Sequence, residues 1–485
     1  MKIKDVLSDV KIKKIIGSKE INVTGISNDS RRIVPGYVFI ARNGKNFDAT
    51  QFIDDAIAFG AKVIISDLYN PFLNEEVTQV ICDDILKVEG KIAANYYQFP
   101  SEKLFSVGIT GTNGKTTTSY LVRHILENVL LEKCGLIGTV ESIVGDKHFP
   151  SPRTTMDVVS NQKMLADMVQ SNCRAVVMET TSHGLDQNRL DYINYDAIIF
   201  TNITQDHFDY HKTFENYFAC KKKLLLHLKK NGVVVINKDD ENFKKMLEDI
   251  RDKKVIDFGI NEKAQLQAID LKLTAEGTEF LLLYKEQKIK VKTQLIGRFN
   301  VYNILGAIGA ALVFGLPLEK IIDAIDTFTN VPGRMQRVEN NKKVNVFVDF
   351  AHTETALLNV LSTLQELKHG KIITVFGCGG DRDKDKRPKM GKVAEQFSNL
   401  TFVTLDNPRS EDPANIVQDI ICGFSNPKSY IVEMDRRVAI ERAFAVAQEG
   451  DIVLIAGKGH EKKQIFKDKI LEFDDFEIAS GIMNR

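Results

Sequence analysis

One glycine-rich segment near residue 110 constrains the fold of this chain more than any other feature. It reads Thr110-Gly111-Thr112-Asn113-Gly114-Lys115-Thr116. An apolar run at residues 104–109 precedes it and a helical pattern at residues 117–127 follows it, which is the order strand, loop and helix. Such a loop can close its backbone N–H groups on phosphate oxygens, while the lysine reaches the outer phosphates and the threonine hydroxyl holds Mg²⁺. The segment predicts a nucleotide phosphate-binding loop, in a shortened variant because Ile109 stands where the usual motif has glycine.

The composition is that of an ordinary soluble globular protein. At 485 residues the chain exceeds what one hydrophobic core usually supports, so two or three domains are expected. Lys+Arg and Asp+Glu total 65 each, so no net field draws the protein to nucleic acid or anionic lipid. The N-terminus lacks an apolar signal core, no run is long enough to span a bilayer, and the six cysteines form no CxxC pair. We expect a cytoplasmic protein with reduced cysteines, no membrane insertion and a monomeric state.

Alternating strand and helix patterns predict an α/β protein of three domains. The first, residues 1–99, is a small α/β unit with strands at Tyr37–Ala41, Val63–Ser66 and 79–82 and a helix at 52–59. The second, residues 100–332, is a parallel-sheet domain around the phosphate loop, with strands at 175–178, 197–200 and 233–236, an antiparallel annex at 255–296 and a helix at 301–314. The third, residues 333–485, follows the hinge Val331-Pro332-Gly333 and is a Rossmann-like, doubly wound sheet with strands at 344–349, Ile372–Phe376, 402–405 and Ile452–Ala456.

Three distant motifs accompany the loop and carry a family resemblance. They are Glu179-Thr180-Thr181-Ser182-His183-Gly184, Asp206-His207-Phe208-Asp209-Tyr210-His211 and Gly297-Arg298-Phe299-Asn300-Val301-Tyr302-Asn303. With the loop they resemble the Mur ligase family, ATP-dependent amide-bond-forming enzymes of bacterial cell-wall synthesis. The likeness runs from Asp29-Ser30-Arg31 through Gly379-Gly380-Asp381-Arg382-Asp383 to Gly457-Lys458-Gly459-His460-Glu461.

The resemblance implies one domain for the UDP end of a substrate, a central ATPase domain and one for the incoming amino acid. It is closest for members that add the third residue of the peptide stem to UDP-N-acetylmuramoyl-L-alanyl-D-glutamate (UDP-MurNAc-L-Ala-D-Glu) in peptidoglycan precursor synthesis. The implied substrates are small molecules: ATP, the UDP-linked dipeptide and an amino acid.

The reaction implied by the resemblance determines which catalytic groups are needed. A carboxylate joins an amine in water only after activation, here by the γ-phosphoryl group of ATP to give an acyl phosphate, so the site needs cations and Mg²⁺ in place beforehand. Lys115 is expected to clamp phosphate, and Thr116 with Glu179 to share one Mg²⁺. By resemblance His207 binds a second Mg²⁺, and Lys221 carries a carbamate that is an anionic Mg²⁺ ligand. On chemistry alone, His207 would be a base or a helix-capping partner and Lys221 part of a solvated basic helix face.

For ATP, the resemblance implies a site made of the loop and three distant residues. The loop residues are Gly111, Thr112, Asn113, Gly114, Lys115, Thr116 and Thr117. Asn303, Arg334 and Asp349 match family positions near adenine, phosphate and ribose respectively. Taken alone, Asn303 could cap a turn, Arg334 could be a surface residue and Asp349 could cap a helix.

The UDP-linked substrate is expected, again by resemblance, to lie between the first domain and the central domain. The implied residues are Ser30, Asn43, Gly44, Lys45, Thr154, Thr155, Thr181, Gln187 and Arg189. Thr181 replaces the serine usual in the family, but a hydroxyl remains for hydrogen bonding. Without the family resemblance, Ser30 would be interpreted as a turn residue.

The motif that most directly predicts the identity of the incoming amino acid is Asp406-Asn407-Pro408-Arg409. Family members with arginine in the fourth place resemble those that select meso-diaminopimelate, because an arginine can meet its distal carboxylate with two charge-assisted hydrogen bonds. Arg382, Gly457 and Glu461 would complete the pocket, with Glu461 facing the distal ammonium. A similar diamino diacid such as lanthionine would satisfy the same partners, and Arg409 alone could be a surface charge.

Three alternatives remain open from the sequence. A folate polyglutamate ligase would share the loop and the lysine but should lack Asp406-Asn407-Pro408-Arg409 and the first domain. The ligase that adds the terminal dipeptide would differ at the same motif. A regulatory protein that binds ATP through its loop would form no amide bond.

Overall fold

The computed structural model describes residues 1–42, 48–204 and 206–483. They form two compact units, the first of residues 1–267 and 303–321 and the second of residues 268–302 and 322–485. No helix in these described ranges is long and apolar enough to cross a membrane. The expected division at residues 99 and 332 stays a prediction.

A five-stranded sheet occupies the N-terminal part of the first unit. Its order is β1-β5-β4-β3-β2, parallel except for β1. The elements are α1 (Ile3–Val6), β1 (Lys14–Ile16), β2 (Gly25–Ser27), β3 (Tyr37–Ala41), α2 (Ile53–Ala58), β4 (Val63–Ser66), β5 (Thr78–Ile81) and α3 (Ile85–Tyr97). Because β3, β4 and β5 are buried on both faces, two apolar clusters form, one against α1 and α3 and one against α2. The predicted strands are confirmed, with β5 starting one residue early.

The central sheet of the first unit carries the phosphate loop at its middle. Its strands run in the order β13-β12-β11-β6-β10-β7-β8-β9, parallel from β13 to β7. The elements up to β11 are β6 (Phe105–Thr110), α4 (Lys115–Leu130), β7 (Cys134–Ile137), β8 (Glu141–Val144), β9 (Lys147–Pro150), α5 (Val158–Gln170), β10 (Ala175–Glu179), α6 (Ser182–Asp186) and β11 (Tyr195–Phe200). They are followed by α7 (Phe208–His211), α8 (Phe214–Lys222), β12 (Leu228–Asn237), α9 (Phe243–Met246) and β13 (Lys254–Gly259). Since β6 lies between β10 and β11, the loops that follow these three strands meet at one edge, where ligands of such sheets bind.

The predicted antiparallel annex is wrong for its first part. Strand β13 pairs parallel with β12, and its end pairs parallel with the start of β14 (Leu266–Leu273). The connection through α9 is long enough for the crossover that parallel strands need, about a dozen residues. Alternation of apolar and polar residues indicates a strand but not its direction. Strands β15 (Thr278–Tyr284) and β16 (Gln287–Thr293) form an antiparallel hairpin as expected.

The second unit contains a six-stranded sheet in the order β17-β18-β22-β19-β20-β21, parallel except for β17. Helix α10 (Arg298–Phe314) has its first residues in the second unit and the rest in the first, and α11 (Leu318–Asp326) begins in the first unit and ends in the second. The later elements are β17 (Gln336–Val338), β18 (Asn345–Asp349), α12 (Glu354–Leu367), β19 (Ile372–Phe376), α13 (Lys386–Phe397), β20 (Leu400–Val403), α14 (Pro413–Ile421), β21 (Tyr430–Val432), α15 (Arg436–Val446), β22 (Ile452–Ala456), β23 (Lys463–Ile465), β24 (Ile470–Glu472) and α16 (Asp475–Met483). One apolar cluster lies against α12 to α14 and another against α15 and α16, so both faces are covered and the doubly wound prediction is confirmed.

Candidate functional site

The glycine-rich loop joins the end of β6 to the start of α4 as the sequence predicted. Gly111 and Gly114 have φ values of 151° and 88°, a region that glycine adopts without strain. A Cβ atom on Gly111 would lie 1.9 Å from the hydroxyl of Thr201, and one on Gly114 would lie 2.3 Å from Oδ1 of Asn303. Both glycines are therefore required by close packing as well as by conformation. The buried Asn303 packs directly against the loop.

Two lysine amines converge on this loop. Lys115 donates to the carbonyl oxygens of Gly111 at 2.8 Å and Thr112 at 2.9 Å. Lys221, on α8, also donates to Gly111 O at 2.8 Å and lies over the ring of Tyr217. Burial, and then the charge of Lys115, lower the pKa of Lys221 well below its usual range.

The alternative that Lys221 is a solvated surface residue is wrong. Its exposed fraction is 1 %, whereas its neighbours Lys222 and Lys223 pair with Asp249 and Asp186 nearer the surface. The basic run Lys221-Lys222-Lys223 thus has one member that turns inward to the phosphate loop. The sequence alone does not tell which of the three lysines turns inward, because three consecutive residues point in different directions on a helix.

Glu179 and Thr116 are brought together as predicted for a shared metal site. The Glu179 carboxylate, fully buried at the end of β10, accepts a hydrogen bond from the Thr116 hydroxyl at 3.0 Å. Thr139 donates to it twice, from its hydroxyl at 2.8 Å and from its backbone N–H at 2.9 Å. No cation lies within salt-bridge distance of this carboxylate in the part of the chain that the structure describes. A buried carboxylate without a cation is costly, so the site suits a positive ion.

His207 belongs to a group of neighbouring rings that includes Tyr217, the residue in contact with Lys221. Its backbone adopts a φ of 54° and its carbonyl oxygen accepts from the N–H groups of Tyr210 and His211, so it begins the short helix α7. Its ring is 4.9 Å from that of His183 and 6.3 Å from that of Tyr217, the residue that covers Lys221. Among residues 1–42, 48–204 and 206–483 no group of three His, Cys, Asp or Glu side chains is arranged as a metal site.

The residues predicted to hold the peptide part of the UDP-linked substrate form one hydrogen-bonded cluster. Thr155 is buried and donates to Glu179 O, and its hydroxyl lies 3.0 Å from that of Thr181. Arg189 donates to Thr155 O at 2.7 Å and to Gln187 Oε1 at 2.6 Å. The Thr154 hydroxyl lies 3.1 Å from that of Thr139, which binds Glu179. This cluster therefore adjoins the Glu179 site directly.

Of the residues predicted in the first domain, only Ser30 can be described. It starts a 3-10 turn, Ser30–Arg32, capped by Asp29, while Asn43, Gly44 and Lys45 lie outside the described residues. The preceding Asn28 donates to Glu89 at 2.8 Å and to Asp157 at 2.9 Å. Because Asp157 caps α5 just after Thr155, this contact connects the Ser30 turn to the cluster above.

In the second unit, Asp349 and Arg334 are neighbours. Asp349 is buried and accepts from the backbone N–H groups of Met335 and Ala351, both at 2.8 Å. It therefore holds the segment after the predicted hinge against the end of β18 and does not cap α12, whose cap is Thr353. Burial raises the pKa of Asp349, and Arg334 opposes that shift. The Arg334 guanidinium lies 5.1 Å from the ring centroid of Phe350.

The residues predicted to select the amino acid also come together, at the ends of strands β20 and β22. Asn407 donates to Glu461 Oε2 at 2.8 Å, and a Cβ atom on Gly457 would approach Asp406 Oδ2 to 2.9 Å. Pro408 is buried beside Gly380, whose N–H donates to Asn407 O. The predicted motifs around residues 380, 407 and 457 thus form a single structure.

Arg409 and Arg382 flank Gly379 in this structure. Arg409 donates to the backbone oxygens of Gly380 at 2.8 Å and Asn407 at 3.4 Å, and Arg382 donates to Asp381 O at 2.9 Å. Neither guanidinium has a carboxylate partner within 4 Å among the described residues. A guanidinium that binds only neutral carbonyl groups is ready to accept an anion.

Several important residues were missed by sequence reasoning. Thr139 has no motif around it. Lys458 lies within the motif Gly457-Lys458-Gly459-His460-Glu461, where a lysine between two glycines could have drawn attention to it. The buried Arg387 donates to Glu411 and Asp419 and holds the Arg409 loop. Nothing in the sequence indicates this, because Asp419 lies in α14 and Glu411 just before that helix. Its hydrogen bonds lower the pKa of Glu411 to about 2.

This chain is similar to known proteins in both sequence and structure. The model of the Mur ligase middle domain matches residues 109–311, and that of the Mur ligase glutamate ligase domain matches residues 333–459. A protein of Clostridium acetobutylicum named UDP-N-acetylmuramoyl-L-alanyl-D-glutamate–2,6-diaminopimelate ligase 1 is 41% identical over 99% of this chain and 98% of its own. The ligase of that name from Chlamydia pneumoniae is 42% identical over 100% of this chain and 99% of its own. A solved structure of such a ligase, 31% identical, superposes with a TM-score of 0.72 over 100% of this chain and 98% of its own.

The phosphate loop, the buried carboxylate beside it and the doubly wound second unit define a nucleotide-dependent enzyme. The chain belongs to the Mur ligase family. It is an ATP-dependent ligase that forms a peptide bond.

Proposed function

We propose that this ligase adds meso-diaminopimelate, or a similar diamino diacid, to UDP-MurNAc-L-Ala-D-Glu. Arg409 carries this proposal, because its guanidinium lacks a carboxylate partner among the described residues while Glu461 supplies an anion in the same structure. The two groups suit a substrate end that has both a carboxylate and an ammonium group. A lysine side chain would place its ammonium near a guanidinium and leave Arg409 without a partner. The names of relatives matched over nearly their full lengths support the same substrate.

ATP is expected to bind with its phosphates at the loop between Gly111 and Thr117. The N-terminus of α4 and the Lys115 amine supply positive charge there, and Lys115 would exchange its two loop carbonyl acceptors for phosphate oxygens. We assign Asn303 to the adenine, Arg334 to phosphate and Asp349 to the ribose. The contact of Asn303 with Gly114 supports a role for Asn303 in the nucleotide site.

Mg²⁺ fits the site formed by Thr116 and Glu179. Both offer hard oxygen atoms, and the buried Glu179 carboxylate lacks a cation among the described residues. When bound, Mg²⁺ would neutralise phosphate charge during phosphoryl transfer. We assign His207 and a carbamate on Lys221 to a second ion. Support for the carbamate is the burial of the Lys221 amine next to Lys115, because its neutral form can attack CO₂ and the anion formed would then face a cation.

The UDP-linked dipeptide is expected to lie along the cluster of Thr155, Thr181 and Arg189. This cluster contacts Glu179 through Thr155, so the carboxylate to be activated would lie next to the nucleotide phosphates. Proximity of this kind supplies much of the rate when no protein nucleophile takes part. We propose residues 1–99 as the UDP-binding domain, 100–332 as the ATP-binding domain and 333–485 as the amino-acid-binding domain.

The test supplies ATP, Mg²⁺, UDP-MurNAc-L-Ala-D-Glu and one amino acid at a time. Diaminopimelate, lanthionine and lysine are compared by the UDP-MurNAc-tripeptide formed and the phosphate released. We expect both products with the diamino diacids and little tripeptide with lysine. Phosphate release without tripeptide would reject the ligase reaction, and a preference for lysine would reject the proposed specificity.

A further inference from the structure

Lys458 is a fully buried cation that the proposed reaction does not use. Its exposed fraction is 0 %, and its amine donates to Lys463 O at 2.6 Å, Asn407 Oδ1 at 3.1 Å and Glu461 Oε2 at 3.4 Å. Asp406 Oδ1 lies 3.8 Å away. An ammonium group has three protons and no acceptor, so these acceptors account for all of its hydrogen-bonding capacity.

The orientation of the Asn407 side chain follows from this arrangement. Its Oδ1 accepts from Lys458 and from the backbone N–H of Ile465 at 3.0 Å. Because both neighbours are donors, the oxygen end of the amide must face them, and the Nδ2 end must point to Glu461. A reversed amide would place its N–H groups against two donors.

Glu461 is in turn held by one oxygen only. Oε2 accepts from Asn407 at 2.8 Å and from Lys458, whereas Oε1 has no hydrogen-bond partner among the described residues. The side chain is 38 % exposed, so Oε1 faces accessible space. Lys458 therefore fixes a carboxylate with one oxygen available for a ligand.

We propose that Lys458 is a positioning residue that, through Asn407 and Glu461, selects amino-acid substrates carrying a distal ammonium group. This inference rests on the proposed function. Lys458 touches no substrate atom in this scheme. It directs Oε1 of Glu461 to the ammonium, while Arg409 receives the distal carboxylate.

The experiment compares diaminopimelate with 2-aminopimelate, which has hydrogen in place of the distal amine. Lys458→Met keeps the volume of the side chain but removes its charge and its donors. We expect the KM for diaminopimelate to rise about tenfold or more, since Glu461 would lose its charge-assisted contact with the distal ammonium group. The KM for ATP should change little. The preference for diaminopimelate over 2-aminopimelate should fall by a similar factor.

A double-mutant cycle with Glu461→Gln tests the route of the effect. If Lys458 acts through Glu461, the two substitutions together should raise the KM for diaminopimelate little more than Glu461→Gln alone. Additive effects would overturn the proposal. Asn407→Asp provides a second route that keeps Lys458, because it retains the acceptor but removes the donor to Glu461, and it should lose the same preference.

Val453→Ala is the matched control for stability. It makes a cavity in the buried strand β22 of the same unit and should leave the substrate preference unchanged. Unchanged preference in both Lys458→Met and Asn407→Asp would overturn the positioning role. If the wild-type enzyme itself made no use of diaminopimelate, the proposed function would fail instead, so the two failures are distinguishable.

Discussion

Lys115 and Lys221 donate hydrogen bonds to the same acceptor, the carbonyl oxygen of Gly111, each over 2.8 Å. Two ammonium groups so close repel each other, and only Lys221 is fully buried. Burial and Lys115 together favour its neutral form. The phosphate loop is thus contacted by two lysine amines, of which the buried one has a lowered pKa, an arrangement that an added anion would stabilise.

Replacing Lys221 should abolish ligation without unfolding the protein. For Lys221→Ala we expect kcat to fall at least about a hundredfold, because a buried group that contacts the phosphate loop and is assigned to the metal site is lost. Tripeptide formation under saturating substrates measures the effect. Added short carboxylates should restore part of the activity if a carbamate is the natural group.

Lys222→Ala is the control, because Lys222 adjoins Lys221 but pairs with Asp249 instead. It should retain near wild-type kcat. A Lys221→Ala enzyme as active as this control would remove Lys221 from the mechanism.

Thr139 should connect the metal site to the acceptor substrate. Thr139→Val removes the hydroxyl that donates to Glu179 and lies beside Thr154 but leaves the backbone hydrogen bond. We expect kcat to fall about tenfold and the Mg²⁺ requirement to rise, since Glu179 loses one of its fixed contacts. Mg²⁺ titrations of tripeptide formation measure both quantities.

Thr139→Ser retains the hydroxyl and should remain close to wild type. Equal losses in the serine and valine variants would point to the methyl group or to packing, not to the hydrogen bond.

Sequence reasoning correctly anticipated which residues lie together where neighbouring residues on the chain form the structure. The loop at Gly111 and the pairing of Thr116 with Glu179 follow from a strand, a turn and the known geometry of parallel sheets. Strands β18, β19 and β22 of the second unit were likewise predicted nearly to the residue, because fully buried strands appear as short apolar runs.

What the sequence could not predict depends on partners far apart in the chain. The burial of Lys221 arises from packing against the loop more than a hundred residues earlier. The amide orientation of Asn407 depends on Lys458, and the direction of β13 depends on its crossover connection. Local patterns hold no information about such contacts.

Arg409 should determine the affinity for the amino acid and not for ATP. For Arg409→Ala we expect the KM for diaminopimelate to rise roughly ten- to a hundredfold, the range for a lost hydrogen bond to a charged group. The KM for ATP should change less than about twofold, because Arg409 is assigned to the amino-acid pocket alone. Steady-state kinetics with each substrate varied in turn measure both.

Arg437→Ala removes an exposed arginine of the same unit and should leave both KM values unchanged. Equal increases for diaminopimelate and ATP in Arg409→Ala would contradict the assignment of Arg409 to substrate selection.

The buried pair of Arg436 and Asp475 should control both the stability and the pocket of the second unit. Both side chains are fully buried and joined by two hydrogen bonds, at 2.8 and 2.7 Å. Arg436 also donates to Leu405 O and Ala456 O, the positions just before Asp406 and Gly457. The pair therefore ties together the two strand ends that carry the amino-acid pocket.

Asp475→Ala leaves Arg436 as a buried charge without its partner, which costs about 3–5 kcal/mol. The free energy of unfolding of the second unit is measured by urea titration, with proteolysis used to detect the unfolded form. Glu433→Ala breaks the exposed pair with Arg442 and should cost at most about 1 kcal/mol. The double variant Arg436→Met/Asp475→Ala removes both charges and should recover part of the stability, but its KM for diaminopimelate should rise, because the hydrogen bonds from Arg436 to Leu405 and Ala456 are lost. A wild-type KM in the double variant would mean that the pair supports folding alone and leaves the pocket unaffected.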